Sequence, residues 1–283
     1  MSSPSQPYAV IGDPVSHSLS PELHRLLFNA ANTTADYEAV HVKPDELAAF
    51  CQNARQQHRP GWNVTLPHKS TIIDLLDSME PQAYRIGAVN TVKNDFGRLT
   101  GYNTDVAGCR LALKRAGYFT GHRAVILGAG GAARAAVAAL AGMGVHALTV
   151  INPTLHRAKA LRDDFTGFGP MQISVHTWNE SRISRALDKA DLLINATPVG
   201  LRPGSNESPM RQDSEFSSSL TVFDMIPRRE PTALLRQAAA QGCTTVSGLS
   251  MLVGQAMAAQ EIWQDISLPS AIFDTTLNAL RKV

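Results

Sequence analysis

The stretch Arg123-Ala-Val-Ile-Leu-Gly-Ala-Gly-Gly-Ala-Ala133 decides the architecture of this chain. Val125 to Leu127 reads as a buried strand, Gly128-Ala129-Gly130-Gly131 as a tight turn, and the alanine-rich segment from Ala132 to Met143 as a helix. Glycines in a hexamer that leaves a strand and opens a helix let the backbone approach a pyrophosphate, while the helix start offers N–H groups and a positive dipole end. The same pattern also suits a βα turn that needs small residues for packing alone. Leu148 to Ile151 supplies the next strand. An NAD site usually ends that strand in an acid about 20 residues after the first glycine. Here it ends Val150-Ile151-Asn152, followed by Pro153, Thr154, Arg157 and Lys159. With no acid, Asn152 and Thr154 placed to hydrogen-bond a 2′-phosphate, and Arg157 supplying charge, the pattern predicts NADP over NAD.

Outward from this unit, apolar runs alternate with helical patterns, which predicts an α/β fold. Strands are expected at Tyr8 to Ile11, Tyr37 to Val42 and Trp62 to Val64, with helices after Pro21 and from Leu47 to Gln57. Pro44 and Pro67 are read as lying just ahead of helices. Val89 to Lys93 and Arg98 to Tyr102 flank a turn-like Asn94-Asp95-Phe96-Gly97 and predict a hairpin. A helix from Thr104 or Asp105 to Ala116, ended by Gly117, leads into Arg123. Beyond it, Ile173 to Val175, Leu192 to Asn195 and Leu220 to Phe223 are strand candidates of a second βα series. Pro203 to Ser219 is a polar loop, and Leu249 to Trp263 and Ser270 to Leu280 are the final helices.

Composition excludes several classes of function. The 283 residues carry a net charge of +2 with scattered cations, so no basic stripe for nucleic acid is expected. Cys51, Cys109 and Cys243 are far apart and read as buried thiols of a reducing compartment. The start from Met1 to Tyr8 lacks a charged segment followed by an apolar one, and no apolar run is long enough to span a bilayer. A cytoplasmic chain with no membrane partner is the expectation. His17, His24 and His68 show no zinc-pair spacing with a third ligand, so no metal is expected.

Four segments of the N-terminal region are dense in polar groups at predicted strand ends: His17 to Pro21, Asn63 to Lys69, Gly87 to Thr91 and Gly101 to Asp105. Each has a structural reading of its own. Ser18 or Ser20 suits a helix cap, Asn63 a turn, and Asp105 an N-cap.

Together with Gly128 to Ala135, Asn195-Ala-Thr-Pro-Val-Gly200 and Gly248-Leu-Ser-Met-Leu-Val-Gly-Gln255, in this order over nearly the whole chain, they resemble the shikimate dehydrogenase family. The resemblance implies an N-terminal α/β substrate domain plus a Rossmann-type dinucleotide-binding domain, with the active-site cleft between them. Residues 1–106 and 248–283 would form the first and 107–247 the second. It implies the reversible NADPH-dependent reduction of 3-dehydroshikimate to shikimate, a step of chorismate and aromatic amino acid biosynthesis. Lys69 and Asp105 would act at the reacting oxygen. Ser18 and Ser20, helped by Gln255, would hold the substrate carboxylate, and Thr65 and Asn90 the ring hydroxyls. Gly128, Ala129, Gly130, Gly131, Ala132, Asn152, Thr154, Arg157, Thr197, Gly248 and Met251 would serve the cofactor. A lysine suits such chemistry because hydride delivery to a ketone leaves an alkoxide, which needs a cation and a proton.

Three positions depart from the family pattern. Arg25 stands for an asparagine. Pro153 replaces the arginine that stacks on adenine, which leaves NAD open as a cofactor. Pro227, three residues after Asp224, replaces a tyrosine and is followed by Arg228 and Arg229, read as a solvent-facing loop or as arginines entering the cleft. Two further readings stand beside the main one: a quinate/shikimate or aminoshikimate dehydrogenase with relaxed cofactor choice, and a dinucleotide-sensing regulatory protein without catalysis. The partner is a small cyclic polyol carboxylate, and the chain a monomer or homodimer.

Overall fold

A computed structural model describes residues 6–119, 122–167, 169–202 and 204–282. The expected polar start at Met1 to Ser5 and Pro203 of the polar loop lie outside the described residues. The chain divides into two compact units, Met1–Thr104 with Gln255–Val283, and Asp105–Gly254.

In the first unit the strands are β1 (Gln6–Gly12), β2 (Ala35–His41), β3 (Gly61–Val64), β4 (Ser78–Met79), β5 (Thr91–Asp95) and β6 (Arg98–Tyr102). They form one sheet in the order β2-β1-β3-β5-β6-β4, with β2, β1 and β3 parallel and β5 antiparallel to both β3 and β6. Alternation along β1 sends Ala9 and Ile11 to one face and Tyr8 and Val10 to the other. Ala9 and Ile11 join Trp62, Val64 and Cys51 in one core, while Tyr8 and Val10 pack with Phe28, Tyr37 and Trp263 in a second. The helices of this unit are α1 (Ser20–Ala30), α2 (Leu47–Gln56) and α3 (Pro81–Ile86). At the β5–β6 turn Phe96 (φ 52°) and Gly97 (φ 95°) both take positive φ, as a two-residue hairpin of twisted strands requires.

The second unit begins with α4 (Asp105–Arg115) and holds β7 (Arg123–Leu127), α5 (Gly131–Ala141), β8 (Ala147–Asn152), α6 (Leu155–Asp164), β9 (Gln172–Thr177), α7 (Glu180–Leu187), β10 (Leu192–Asn195), β11 (Thr221–Asp224), α8 (Ala233–Ala240) and β12 (Thr244–Ser247). Its sheet is wholly parallel in the order β12-β11-β10-β7-β8-β9. This is the doubly wound dinucleotide-binding topology, whose order reverses between β7 and β10. Val125 and Leu127 of β7 pack with Ile183, Leu193, Val222 and Leu234 in its core. The division into units falls inside α9 (Gly248–Gln264), and α10 (Ala271–Lys282) ends the chain and packs on α1. No helix of the described residues is long and apolar enough to cross a membrane.

The α/β architecture expected from the sequence is the one that forms. One element differs: no α-helix follows Pro67, and only a 3₁₀ turn forms at Thr71–Leu75. The carbonyl of Lys69 accepts from Val89 N at 2.7 Å, so the oxygen that a continuing helix would use belongs to a neighbouring segment. The bond takes the Val89 N–H away from any ladder partner, and β5 starts at Thr91, not Val89.

Gly61 lies against the indole of Trp263, whose Nε1 donates to Val92 O at 2.9 Å. A methyl group there would meet Trp263 Cε2 at 2.9 Å, inside van der Waals distance. Gly61→Ala is expected to lower stability by about 1–3 kcal/mol through overpacking, read as a reduced urea midpoint at unchanged slope. An unchanged midpoint would mean that the indole moves aside freely.

Candidate active site

A polar residue inside a strand whose four positions are all buried needs partners, and Asn63 of β3 has them. Tyr37 Oη donates to Asn63 Oδ1 at 2.6 Å, and Asn63 Nδ2 donates to Asn90 O at 3.2 Å and Thr91 Oγ1 at 3.0 Å. Burial pushes the Tyr37 phenol well up, so it stays a neutral donor, and Ser20 hydrogen-bonds it. Asn90, 2% exposed, is the hub. Its Oδ1 accepts from Thr104 N at 2.7 Å and lies 3.2 Å from both the Thr104 and Thr91 hydroxyls, and its Nδ2 donates to Gln255 Oε1 at 3.4 Å. With its oxygen so fully engaged, what Asn90 offers a ligand is the Nδ2 donor.

Of the expected substrate residues, Ser20, Asn90 and Gln255 therefore share one network. Lys69 is half-buried and tied to the Asn90 segment through Val89. Thr65 ends the β1–β3 ladder, its N donating to Ile11 O at 2.9 Å, and its methyl is the nearest neighbour to a side chain added at Gly12. Ser18 Oγ accepts from Ser20 N at 3.2 Å, which leaves its hydroxyl proton to donate elsewhere. Asp105 is buried and is the first residue of α4, in the second unit, so it is not the residue before the helix. Tyr37, Asn103 and the Thr91–Thr104 pair were not singled out in the sequence. The signal that leads to them is Asn63, a polar residue in an otherwise apolar strand.

In the second unit the strand ends converge. Gly128 N donates to Ile151 O, and Ala196 N to Leu127 O, both at 2.8 Å. Gly128 has φ 106°, and a Cβ there would meet Ala196 O at 2.8 Å and Thr197 Cγ2 at 3.3 Å, so only glycine admits this approach. Gly130 and Gly131 differ, because a Cβ at either would meet no protein atom within 4 Å. Protein packing does not demand those two glycines. Gly130 precedes α5 with no side chain capping the helix, and Ala129 and Ala132 flank the turn with half-buried positions. These features fit a pyrophosphate on the α5 N-terminus. Asn152 Nδ2 donates to Thr154 O at 2.9 Å, Thr154 precedes α6, and Arg157 is exposed with no ion pair among the described residues.

A second buried network holds Asn195 and Thr197. Asn195 Nδ2 donates to Asp224 Oδ1 at 2.9 Å, while Asn195 Oδ1 accepts from the Thr197 N–H and hydroxyl at 3.0 and 2.7 Å. Thr232 Oγ1 donates to Asp224 Oδ2 at 2.6 Å. Burial pushes the Asp224 carboxyl up against these donors. Gly248 sits against the Met225–Ile226 backbone, and Met251 is buried with its Sδ 3.6 Å from Cys109 Sγ. Arg228 corrects the expectation of a solvent-facing loop. It is half-buried, and its Nη1 donates to Ser205 O at 2.8 Å and Gly200 O at 3.4 Å, bracing the segment after β10. Among the described residues no group of three His, Cys, Asp or Glu could hold a metal ion.

The family described as shikimate dehydrogenase substrate binding domain matches residues 10–92, and that described as shikimate / quinate 5-dehydrogenase matches residues 110–228. A shikimate dehydrogenase (NADP(+)) of Moorella thermoacetica is 40% identical over 270 residues, covering 95% of this chain and 91% of that one. The chain belongs to the shikimate dehydrogenase family. Among solved relatives, shikimate 5-dehydrogenase from Listeria monocytogenes in complex with shikimate and NAD superposes with a TM-score of 0.88 at 32% identity, covering 98% of this chain and 96% of that one. The ligand-free 5-ketofructose reductase of Gluconobacter sp. strain CHM43 gives 0.85 at 33% identity, with 98% and 99% covered.

Within this shikimate dehydrogenase family member, His24 lies behind the Asn63 network. It is fully buried, stacked on Tyr37 at 4.1 Å, and burial pushes its imidazole from 6.5 down to about 3. The unfolded chain takes up a proton below the ordinary value while the fold does not, so this contribution to stability is complete above 6.5 and is lost as pH falls toward 3. His24→Phe is expected to lose less stability than the parent between about pH 7 and about pH 4, by on the order of 3 kcal/mol, in denaturant titrations at both values. Equal losses would show that His24 does not set the acid sensitivity.

Proposed function

We propose that this chain catalyses the reversible NADPH-dependent reduction of 3-dehydroshikimate to shikimate. The observation that carries this reading is the match to a shikimate dehydrogenase (NADP(+)) over 95% of the chain. The polar set of the first unit suits a cyclic polyol carboxylate: hydroxyls at Ser18, Ser20 and Thr65, the amides of Asn90 and Gln255, and a lysine ammonium. The quinate and aminoshikimate readings, and that of a binding protein without catalysis, are not favoured.

Residues 1–106 and 248–283 are assigned to substrate and 107–247 to the dinucleotide. Ser18 and Ser20 donate to the substrate carboxylate with Gln255, and Thr65 and Asn90 address its ring hydroxyls. When bound, NADPH supplies the hydride. The carbonyl oxygen then gains negative charge, and the Lys69 ammonium stabilises that charge and gives the oxygen its proton. Asp105 orients the ammonium and limits the cost of enclosing it. Gly128 to Ala132 receive the pyrophosphate, and Thr197, Gly248 and Met251 serve the nicotinamide. Asn152, Thr154 and Arg157 take the 2′-phosphate and favour NADP, while Pro153 in place of arginine relaxes the choice toward NAD. The chain works in the cytoplasm as a monomer or homodimer.

Steady-state kinetics with shikimate, quinate and aminoshikimate, each with NADP and NAD, test the assignment. The highest kcat/KM is expected for shikimate with NADP. A lower KM for NAD than for NADP would contradict the cofactor assignment. Lys69→Ala is expected to lower kcat by about 10²- to 10⁴-fold with dinucleotide affinity unchanged. Near-normal turnover in that variant would remove Lys69 from the chemistry.

A further inference from the structure

Several cations of this chain have a carboxylate partner. Arg55 pairs with Asp77, Arg59 with Glu38, Lys93 with Asp265, Arg134 with Asp164, and Arg211 with Glu180 and Asp213. Arg123, Arg182, Arg185 and Lys189 do not. Among the described residues none of the four has a carboxylate within ion-pair distance. All four line one cavity of about 490 Å³ in the second unit.

The cavity follows from how α7 is built. Its buried residues, Ile183 and Leu187, stand four apart and enter the core, so Arg182 and Ala186 form the adjacent stripe, and Lys189 follows in the turn beyond the helix. The helix has eight residues, about 12 Å, and connects the edge strand β9 to the interior strand β10. Beside it the start of β8 stays half-exposed, and Ala147 and Thr149 make a floor of small side chains next to the buried Val125 of β7. Thr149 Oγ1 lies 3.1 Å from Ser174 Oγ, which adds hydroxyls to the floor. Arg182 Nη1 donates to His176 Nδ1 at 2.9 Å and is held over it.

Among the described residues no carboxylate pairs with these four cations. Asp191, just beyond the rim, accepts from Tyr118 Oη and from the N–H groups of His122 and Arg123. Glu180 is taken by Arg211, and Asp188 does not line the cavity. Because the strands are parallel, the cavity lies toward their starts and the Gly128 turn at their ends. Arg123 and Leu127 alone are about 13 Å apart along β7.

Three guanidinium groups, an ammonium and a hydroxyl around a concave floor match the geometry of phosphate oxygens. We propose that this cavity is a second anion site, separate from the dinucleotide turn, which takes a small phosphorylated molecule of the pyrophosphate class. It does not depend on the identity of the reduced substrate.

The test is calorimetric titration of inorganic pyrophosphate into the full chain with NADP⁺ saturating, for the parent, Arg182→Ala/Arg185→Ala and Lys189→Glu. The parent is expected to show saturable binding that weakens with added salt. Both variants alter exposed side chains and should keep the parent melting temperature, while affinity falls at least about tenfold in each. Amide shifts of Thr149 and Ala190 on titration would place the ligand in the cavity. No saturable binding to the parent, or parent affinity in the double variant, would overturn the proposal.

Discussion

The side-chain oxygen of Asn90 is the point on which the first unit's chemistry depends. It receives the backbone N–H of Thr104 at 2.7 Å and lies within reach of two hydroxyls, in a place that water does not enter. An unpaired amide there would cost about 1–3 kcal/mol, so the three segments that supply its partners are fixed together. Thr91 of β5 and Thr104, just after β6, serve the Asn90 side-chain oxygen and Gln255 of α9 its nitrogen, while Asn63 of β3 donates to the Asn90 backbone carbonyl. The Lys69 segment joins through its carbonyl, and Asp105 follows Thr104 directly in the chain. One buried amide thus ties together the segment that carries Lys69 and the point at which the next segment leaves.

The second unit solves a different problem with small residues. Gly128 is required by the approach of Ala196 and Thr197, whereas Gly130 and Gly131 face open space. The first glycine serves the fold, and packing within the protein does not require the other two. The Asp224 carboxylate, buried among Asn195, Thr232 and Ile226, fixes the end of β10 much as Asn90 fixes the hairpin. Arg228, just beyond β11, then braces the loop that follows β10 through Gly200 and Ser205.

Local physics made much of this legible in the sequence. The apolar runs gave the strands, and a glycine turn between strand and helix predicted the parallel sheet, because both signals are carried by neighbouring residues. Phe96-Gly97 showed its turn for the same reason. What stayed hidden depends on partners far away in the chain. The helix expected after Pro67 fails because Val89 takes the Lys69 carbonyl, and Tyr37 and Asn63, 26 residues apart, meet only once β2 and β3 lie in one sheet. The sequence shows four polar segments; that Asn90 ties the segments of Asn63 and Thr104 to its own is a property of the fold.

The claim that gives these networks their purpose is that they bring a cation and an acid to one substrate oxygen. A crystal structure of the chain with shikimate and NADP⁺ bound tests it most directly. The account predicts Lys69 Nζ and a carboxylate oxygen of Asp105 each within about 2.6–3.2 Å of the same shikimate hydroxyl. A bound shikimate whose hydroxyls touch neither side chain would contradict it.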